Sequence, residues 1–371
     1  MSVSKDPTTS SVSTEHTPNP TVSIVIPTYN EADHIEAIIN CFLASKYPNL
    51  LEIIIVDGQS TDGTSDLVKA IAHEHPLVKI IDNPQRIQSA GLNIGLKVCQ
   101  GDLLLRADAH CEYALDYIEQ CVSAVQESKA LNVGGCQRFV ARSPFQAGIA
   151  LASRSWLGSG GAKYRNPEYT GYADTVYLGC FKREALLELD SLPDVEAFDT
   201  SQITNQDAEL NQRLLYLSPQ AIYISSQIKV WYYPRKTWKS LWTQYFKYGR
   251  GRYLTSTKHR ERSQLRGKLP FLFFSTIILL LVFDLFSPLE LYIKEICLFG
   301  VLLAFLESLR VNLKLKDRFN AEIWRGNPQK VPSFLSRWFY CAIVILTMPI
   351  AHFSGYGYQA FKNRILATEG W

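Results

Sequence analysis

The chain has 371 residues and a nearly balanced charge, with 38 lysines and arginines against 35 aspartates and glutamates. This balance gives no global electrostatic reason to expect nucleic acid as a partner, and we expect none. The 8 cysteines include no C-x-x-C pair, so the spacing signals neither a zinc knuckle nor a disulfide framework and favours a reducing compartment. The length allows one large domain with an appendage, or two ordinary domains.

The first 20 residues are rich in Ser, Thr and Pro, and they lack the basic start and apolar stretch of a signal peptide. We predict a disordered tail at residues 1–20. The segment that follows is therefore expected to stay in the cytoplasm, unless a downstream segment carries it across a membrane.

Short apolar, β-branched runs alternate with helical patterns over the next part of the chain, to residue 105. The runs predict strands at 22–26, 53–56, 78–81 and 103–105, and the periodic stretches predict helices at 31–44 and 64–73. This order predicts an α/β fold with a mostly parallel sheet. Because ligands bind at the carboxyl ends of parallel strands, polar residues just after each strand are candidates for a site.

The composition changes after Trp231. Residues 236–246 combine aromatic side chains with lysines, which is typical of an amphipathic helix on a membrane surface or of an ordinary surface helix packed on the domain. A basic run follows up to residue 268. We therefore predict a membrane-interface segment at 236–268.

Three apolar stretches, at 269–283, 296–306 and 334–353, approach the length that a spanning helix needs. The loops at 250–268 and 310–330 are basic and the loop at 284–295 is acidic, so the positive-inside rule places the N-terminal part of the chain in the cytoplasm. We predict two to three membrane helices within residues 269–371, with a buried helical subdomain as the alternative. Whether the third stretch crosses or lies along the membrane stays open.

Two loops that follow neighbouring predicted strands carry polar residues in a distinctive order. They read Pro27-Thr28-Tyr29-Asn30-Glu31 and Asp57-Gly58-Gln59-Ser60-Thr61-Asp62. A carboxylate at a strand end can accept hydrogen bonds from a base N–H or from ribose hydroxyls, while an aromatic or proline wall covers the ring. Alternatively, the two aspartates shape turns and cap a helix.

These loops resemble the P-x-Y-N-E and V-D-x-x-S-x-D-x-T signatures of family 2 glycosyltransferases, which have the GT-A fold. The resemblance covers roughly residues 22–252 and implies a catalytic domain at 21–235. It implies that the nucleoside of the donor is bound by Pro27, Tyr29, Glu31 and Asp57, with Asp62 capping or contacting nearby.

The fourth predicted strand is followed by Asp108-Ala109-His110, which resembles the D-x-D metal motif of the family with histidine in place of the last carboxylate. The resemblance implies that Asp108 and His110 hold a divalent cation, which neutralises charge on the leaving phosphates of the donor. Because imidazole suits transition metals better than Mg²⁺, we predict that Mn²⁺ is preferred over Mg²⁺. The same Asp-x-His pattern is similar to that of succinoglycan and other exopolysaccharide glucosyltransferases. A histidine-containing loop without metal is the alternative.

Residues 204–210 resemble the E-D motif of the family, with Gln206 where glutamate is common. In inverting members the aspartate is the general base, so the resemblance implies that Asp207 takes the proton from the acceptor hydroxyl. The alternative is an acidic residue that the dipole favours at a helix N-terminus.

Two further segments complete the resemblance. Residues 172–183 look like the floor of the acceptor pocket, which implies acceptor contacts by Asp174, Gly179 and Cys180. Arg250 and Arg252 stand where related enzymes place basic residues near the donor pyrophosphate, although they suit anionic lipid headgroups equally well.

Together these features predict an inverting hexosyltransferase that moves a sugar from a nucleotide-sugar, UDP-hexose by resemblance, to a hydroxyl of a lipid-linked saccharide. The resemblance places it in exopolysaccharide or cell-surface glycan synthesis, as a multi-pass inner-membrane protein with a cytoplasmic catalytic domain. The alternatives are a polyprenyl-phosphate sugar synthase and a catalytically silent membrane protein that binds a nucleotide-sugar.

Overall fold

The structure is a computed structural model that describes residues 19–192, 195–258, 265–286, 293–367 and 370–371. Residues 1–18 of the predicted disordered tail lie outside the described residues. So do residues 259–264 of the predicted basic segment and residues 287–292 of the predicted acidic loop.

One mixed sheet organises the N-terminal two thirds of the described chain. Its strands are β1 (Val22–Thr28), β2 (Leu50–Asp57), β3 (Val78–Asp82), β4 (Leu103–Arg106), β5 (Cys111–Tyr113), β6 (Asn132–Phe139), β7 (Gly171–Tyr172), β8 (Tyr177–Lys182) and β9 (Ile222–Tyr232). The strand order is β3-β2-β1-β4-β8-β6-β9-β5, and β7 pairs with β9.

Helices cover the sheet and form the C-terminal region. They are α1 (Ile35–Leu43), α2 (Thr64–Glu74), α3 (Gln88–Val98), α4 (Tyr117–Ser128), α5 (Pro144–Ser153), α6 (Trp156–Ser159), α7 (Arg183–Asp190), α8 (Gln206–Leu217), α9 (Trp238–Lys258), α10 (Leu265–Phe286), α11 (Ile293–Lys314), α12 (Phe319–Glu322) and α13 (Phe334–Arg364).

The strands β1 to β4 are parallel to one another, as the alternation of strand and helix patterns predicts. Their residues are β-branched and leucine-rich because helices bury both faces of this half of the sheet. The other half mixes directions, since β8 is antiparallel to both β4 and β6. The register Thr28↔Asp57↔Asp82 brings the ends of β1, β2 and β3 to one edge.

Helix α1 begins four residues later than the predicted helix at 31–44. Asn30 has a left-handed φ of 54°, and the Glu31 carbonyl accepts from His34 and Ile35, so residues 31–34 form a turn. The buried residues of α1 follow the helical spacing, at positions 35, 38, 39 and 42. The turn leaves the polar residues before α1 at the edge of the sheet.

The C-terminal helices pack on the sheet domain. One hydrophobic cluster contains sheet residues together with Val311 of α11 and Val344 and Met348 of α13. Among the described helices, α11 and α13 are long and apolar enough to cross a membrane, by length and composition alone. The predicted apolar stretch at 269–283 lies in α10, where Leu279 and Phe283 are more than half exposed.

Candidate active site

The loops after β1 and β2 are tied together by side-chain hydrogen bonds. Asn30 Oδ1 accepts from the Thr61 amide at 2.8 Å, and Ser60 Oγ accepts from the Asn30 amide at 2.8 Å. Asp62 Oδ2 accepts from the Ala32 amide at 3.0 Å. These bonds explain why polar residues recur at this spacing, because each loop satisfies backbone groups of the other.

The two aspartates of the second loop have different surroundings. Asp57 is 3% exposed, accepts from the Ser60 amide at 3.0 Å and pairs in register with Thr28. The hydrogen bond from Thr64 and that from Ala32 lower the pKa of Asp62. Asp62 Oδ1 also accepts from the Thr64 amide at 3.1 Å, so Asp62 joins the two loops to the first residue of α2, and the donor-binding roles of Asp57 and Asp62 stay predictions.

A cleft of about 200 Å³ opens at this edge of the sheet. The predicted site residues that line it are Pro27, Tyr29, Glu31, Asp108 and His110. A larger cavity, of about 560 Å³, is lined by residues such as Asp190 and Glu196 and includes none of the predicted site residues. We therefore take the smaller cleft, which collects the motif residues, as the candidate active site.

Sequence reasoning missed three residues that also line this cleft: Asn83, Arg86 and Gln88. Asn83 is 3% exposed, and its Oδ1 is buried without a partner in the described part of the chain, so it can accept a hydrogen bond from a ligand. Arg86 donates to the amide oxygen of Gln59 rather than to a carboxylate, so its charge remains available for a phosphate. Neither residue belongs to a quoted motif, but both follow β3 at the same edge as Asp57.

The D-x-H motif follows β4, and both of its side chains reach the cleft. His110 Nδ1 lies 3.5 Å from Glu31 Oε1, and the His110 ring meets Tyr232 edge-on at 5.8 Å. Burial alone would lower the pKa of His110, but the hydrogen bond to Glu31 and the charge of Asp108 raise the pKa above its usual value. This electronegative corner attracts cations.

The donor set fits a divalent cation that is shared with a substrate. Within the described ranges, no group of three or more His, Cys, Asp or Glu side chains could hold a metal ion by itself. Nucleotide-bound Mg²⁺ is typically held by one or two carboxylates together with substrate phosphates. Asp108 is one carboxylate of this kind and His110 adds an imidazole, so a cation held by these two residues would need the phosphates of a bound donor to complete its coordination.

Arg106, which sequence reasoning did not single out, joins the metal motif to the predicted base. Its Nη1 donates to Asp207 Oδ1, and its Nη2 lies 3.4 Å from Asp108 Oδ1. Asp207 is the second residue of α8, which brings the predicted base within reach of the β4 end. Asp207 keeps 42% of its side chain exposed; its partial burial raises its pKa, and the charge of Arg106 opposes that rise.

The predicted acceptor residues lie on and before β8. Gly179 pairs in register with Arg106 and has φ of +148°, so it belongs to the immediate surroundings of the site. Cys180 is 1% exposed and pairs with Leu105 in the interior. Asp174 is half-buried in the turn before β8. We therefore leave the Cys180 side chain out of the acceptor site.

The predicted phosphate clamp on α9 has other contacts. Arg250 Nε donates to Gln359 Oε1 at 2.8 Å, and its guanidinium lies over the Trp371 ring at 4.3 Å. These partners are at the C-terminal end of the chain, not in the cleft. The positive charge of Arg252 acts on His352 of α13. The predicted contact of Arg252 with a donor phosphate stays a prediction.

Comparison with known proteins agrees with this geometry. Residues 23–188 match the model of glycosyl transferase family 2. The chain is 38% identical over 249 residues to the succinoglycan biosynthesis protein ExoA of Rhizobium meliloti, which covers 67% of this chain and 73% of that protein. The chain belongs to glycosyltransferase family 2.

Two further relatives extend the comparison. A dolichyl N-acetyl-alpha-D-glucosaminyl phosphate 3-beta-D-2,3-diacetamido-2,3-dideoxy-beta-D-glucuronosyltransferase of Methanococcus voltae is 30% identical over 236 residues, covering 62% of this chain and 71% of that protein. The structure of the mannosyltransferase PcManGT of Pyrobaculum calidifontis, in complex with GDP-Man and Mn²⁺, has a TM-score of 0.53 at 17% identity, covering 91% of this chain and 88% of that one. The predicted family and the GT-A fold are thus confirmed.

Proposed function

We propose that this glycosyltransferase is an inverting hexosyltransferase that uses a UDP-hexose donor and a hydroxyl of a lipid-linked saccharide as acceptor. The observation that carries the proposal is that Arg106 contacts both Asp108 and Asp207, and that Asp108 lines the same cleft as Pro27, Tyr29, Glu31 and His110. Residues from distant parts of the sequence thereby supply donor binding, cation binding and a base within one site.

The nucleoside end of the donor fits the loops after β1, β2 and β3. Pro27 and Tyr29 form an apolar wall for the base, and the Asn83 Oδ1 atom accepts a hydrogen bond. Asp57 lies buried at the end of β2, outside the cleft lining, and its contact with the nucleoside is proposed from the family resemblance. Arg86 is placed to pair with a phosphate. We do not include Arg250 in this donor site.

The diphosphate lies towards Asp108 and His110 in this proposal. A divalent cation bound there supplies charge neutralisation for the leaving diphosphate. Asp207 accepts the proton of the acceptor hydroxyl as that oxygen forms its bond to the anomeric carbon. The bond from that carbon to the diphosphate oxygen breaks, its electron pair stays on the diphosphate, and this single displacement inverts the anomeric configuration.

The acceptor and the location are proposed from three features. The names of two relatives refer to succinoglycan biosynthesis and to a dolichyl phosphate-linked sugar. The exposed apolar surfaces of α10 and α11 suit a lipid environment. We therefore propose that the enzyme works at the cytoplasmic face of the inner membrane in exopolysaccharide or cell-surface glycan synthesis.

Transfer can be measured with the full chain purified in detergent, a panel of labelled UDP-hexoses, Mn²⁺ and a bacterial membrane lipid extract. We expect label in a lipid-linked saccharide together with release of UDP. A product that is a single sugar on an acid-labile lipid phosphate would instead identify a polyprenyl-phosphate sugar synthase. Binding of UDP without any transfer to the extract would favour a catalytically silent nucleotide-sugar-binding protein.

Asp207→Asn is the sharpest variant for the mechanism. It removes the base with almost no change of shape, so we expect transfer to fall by about 10²–10⁴-fold while UDP binding persists. Asp116→Asn, the same chemical change at an exposed position that precedes α4, is the matched control and should keep wild-type transfer. Undiminished turnover of Asp207→Asn would remove this residue from the mechanism.

A further inference from the structure

We propose that Arg106 is a positioning residue, which sets the orientation of the catalytic base Asp207 relative to the donor-binding carboxylate Asp108. This inference rests on the proposed function and deepens it. Its basis is that one guanidinium contacts both carboxylates through different nitrogens, Nη1 for Asp207 and Nη2 for Asp108.

The burial of the three side chains differs in a way that suits this role. The Arg106 side chain is 4% exposed and that of Asp108 is 12% exposed, whereas 42% of the Asp207 side chain is exposed. A buried guanidinium is stable only when it is paired, so Arg106 has a strong preference for a fixed position between its two partners. Asp207 is thus held through Oδ1 while part of its carboxylate remains accessible to an acceptor.

The backbone of Arg106 is fixed from both sides. It lies at the end of β4, paired with Val25 of β1 and with Gly179 of β8. Gly179 has φ of +148°, and a Cβ there would lie 2.7 Å from Asn132 Oδ1 of β6 and from the Phe181 ring of β8, so the strand position opposite Arg106 favours glycine. A side chain anchored on paired strands defines a direction more precisely than one on a loop.

A second connection joins the same two regions. Gln206, the first residue of α8, donates from Nε2 to Gln88 Oε1 at 2.7 Å, and Gln88 Nε2 donates to Asp108 Oδ1 at 3.1 Å. Asp108 Oδ1 is therefore approached by Arg106 from β4 and by Gln88 from α3. The beginning of α8 is therefore connected to Asp108 by two routes. One runs from Asp207 through Arg106, and the other runs from Gln206 through Gln88.

The second connection accounts for glutamine where the family motif commonly has glutamate. A glutamate carboxylate at position 206 only accepts hydrogen bonds, so it could not donate to the Gln88 oxygen. To donate to such a glutamate, the Gln88 amide group would have to flip. The Gln88 oxygen would then face the Asp108 carboxylate, and two acceptors would oppose each other. Gln206 and Gln88 thus form a matched pair that keeps a donor directed at the Asp108 carboxylate.

Such positioning acts on the chemical step. A shift of about 1 Å in a reacting group can reduce the rate by about 10²-fold, even when the ligand still binds. Without Arg106, the like charges of Asp108 and Asp207 would repel each other, and Asp207 would lose its ion pair with β4. The expected signature is a low kcat with nearly unchanged donor binding.

Arg106→Met and Arg106→Lys test the inference in the full chain. We expect Arg106→Met to lower kcat by about 10²-fold while calorimetric UDP binding with Mn²⁺ and the melting temperature show a folded donor site. Arg106→Lys, which can pair with one carboxylate, should recover part of the kcat with the same donor KM. Wild-type kcat in Arg106→Met, or no recovery with lysine in a folded protein, would overturn the inference.

Gln206→Glu provides a variant that avoids burying an unpaired group in the sheet, should Arg106→Met not fold. We expect it to raise the donor KM by several-fold and to leave the melting temperature near that of the wild type, because the effect passes through Gln88 to Asp108. Unchanged donor KM and UDP affinity would contradict the second connection. The proposed function is judged separately, since Asp207→Asn tests the base whether or not Arg106 positions it.

Discussion

At the scale of single residues, the D-x-H motif places the His110 imidazole where the family motif has a second carboxylate, and this changes which cation the site suits. His110 shares its corner of the cleft with Glu31, and Asp108 is contacted by Arg106 and Gln88. A cation at this place therefore meets one carboxylate and one imidazole from the motif. We expect the softer nitrogen ligand to favour Mn²⁺ over Mg²⁺.

His110→Asp should therefore change the metal preference. Replacing the imidazole with a carboxylate restores an all-oxygen motif, so we expect the ratio of the rates with Mg²⁺ and Mn²⁺ to rise by about tenfold, since ligand type decides between these ions. The measurement is UDP release at saturating concentrations of each metal. His110→Ala is the control and should weaken both activities, while equal wild-type rates with both ions would refute the preference.

At the scale of elements, helix α9 connects the C-terminal region to the loop before the proposed base Asp207. The loop before α8 is held by α9, because Thr204 Oγ1 donates to the Lys247 carbonyl at 3.0 Å and Asn205 Nδ2 donates to the Tyr248 carbonyl at 3.2 Å. Asn205 has φ of 65° and immediately precedes Gln206 and Asp207. Lys247 and Tyr248 of the predicted membrane-interface segment thus hold the loop that leads into α8.

Helix α13 supports α9 through close backbone contact, which predicts opposite effects for two glycines. A Cβ at Gly355 would lie 1.9 Å from the Phe246 carbonyl oxygen, whereas a Cβ at Gly357 would meet only the Phe271 ring, at 3.5 Å. We expect Gly355→Ala to destabilise the protein by about 1–3 kcal/mol through overpacking and to reduce kcat.

Gly357→Ala is the matched control in the same helix. It should be neutral or stabilise by up to about 1 kcal/mol, because alanine favours helix over glycine. Melting temperatures in detergent report both variants. Equal melting temperatures for the two would show that α9 and α13 do not pack as closely as described.

At the scale of the whole molecule, the apolar surface is divided unevenly. Helix α13 is covered in part by α5 and α9, and a Cβ at Gly148 of α5 would lie 2.6 Å from Tyr340 Cβ. Helices α10 and α11 instead expose large apolar side chains, with Leu279 at 69% and Leu298 at 71% exposure. A surface of this kind indicates a lipid or protein partner.

We propose that this partner is the membrane, and the double variant Leu279→Ser with Leu298→Ser tests it. Loss of two exposed apolar side chains weakens membrane insertion by about 1.5–3 kcal/mol each. The fraction of full-length protein that remains with membranes after high-salt and carbonate washing should therefore fall. Release of the wild-type chain by high salt alone would contradict apolar insertion.

The alternation of apolar runs and helical patterns was enough to predict an α/β fold, because buried parallel strands require continuous β-branched segments. The motif residues Pro27, Tyr29, Glu31, Asp108 and His110 were found from the sequence because each lies at or shortly after the carboxyl end of a strand, where local order and spatial position coincide. The tertiary structure alone decided the contacts between distant segments: the connection of Arg106 to Asp207, the pairing of Gln88 with Gln206, and the packing of Arg250 against Trp371. Such contacts depend on how helices are placed across a sheet, and no local pattern in one sequence records that placement.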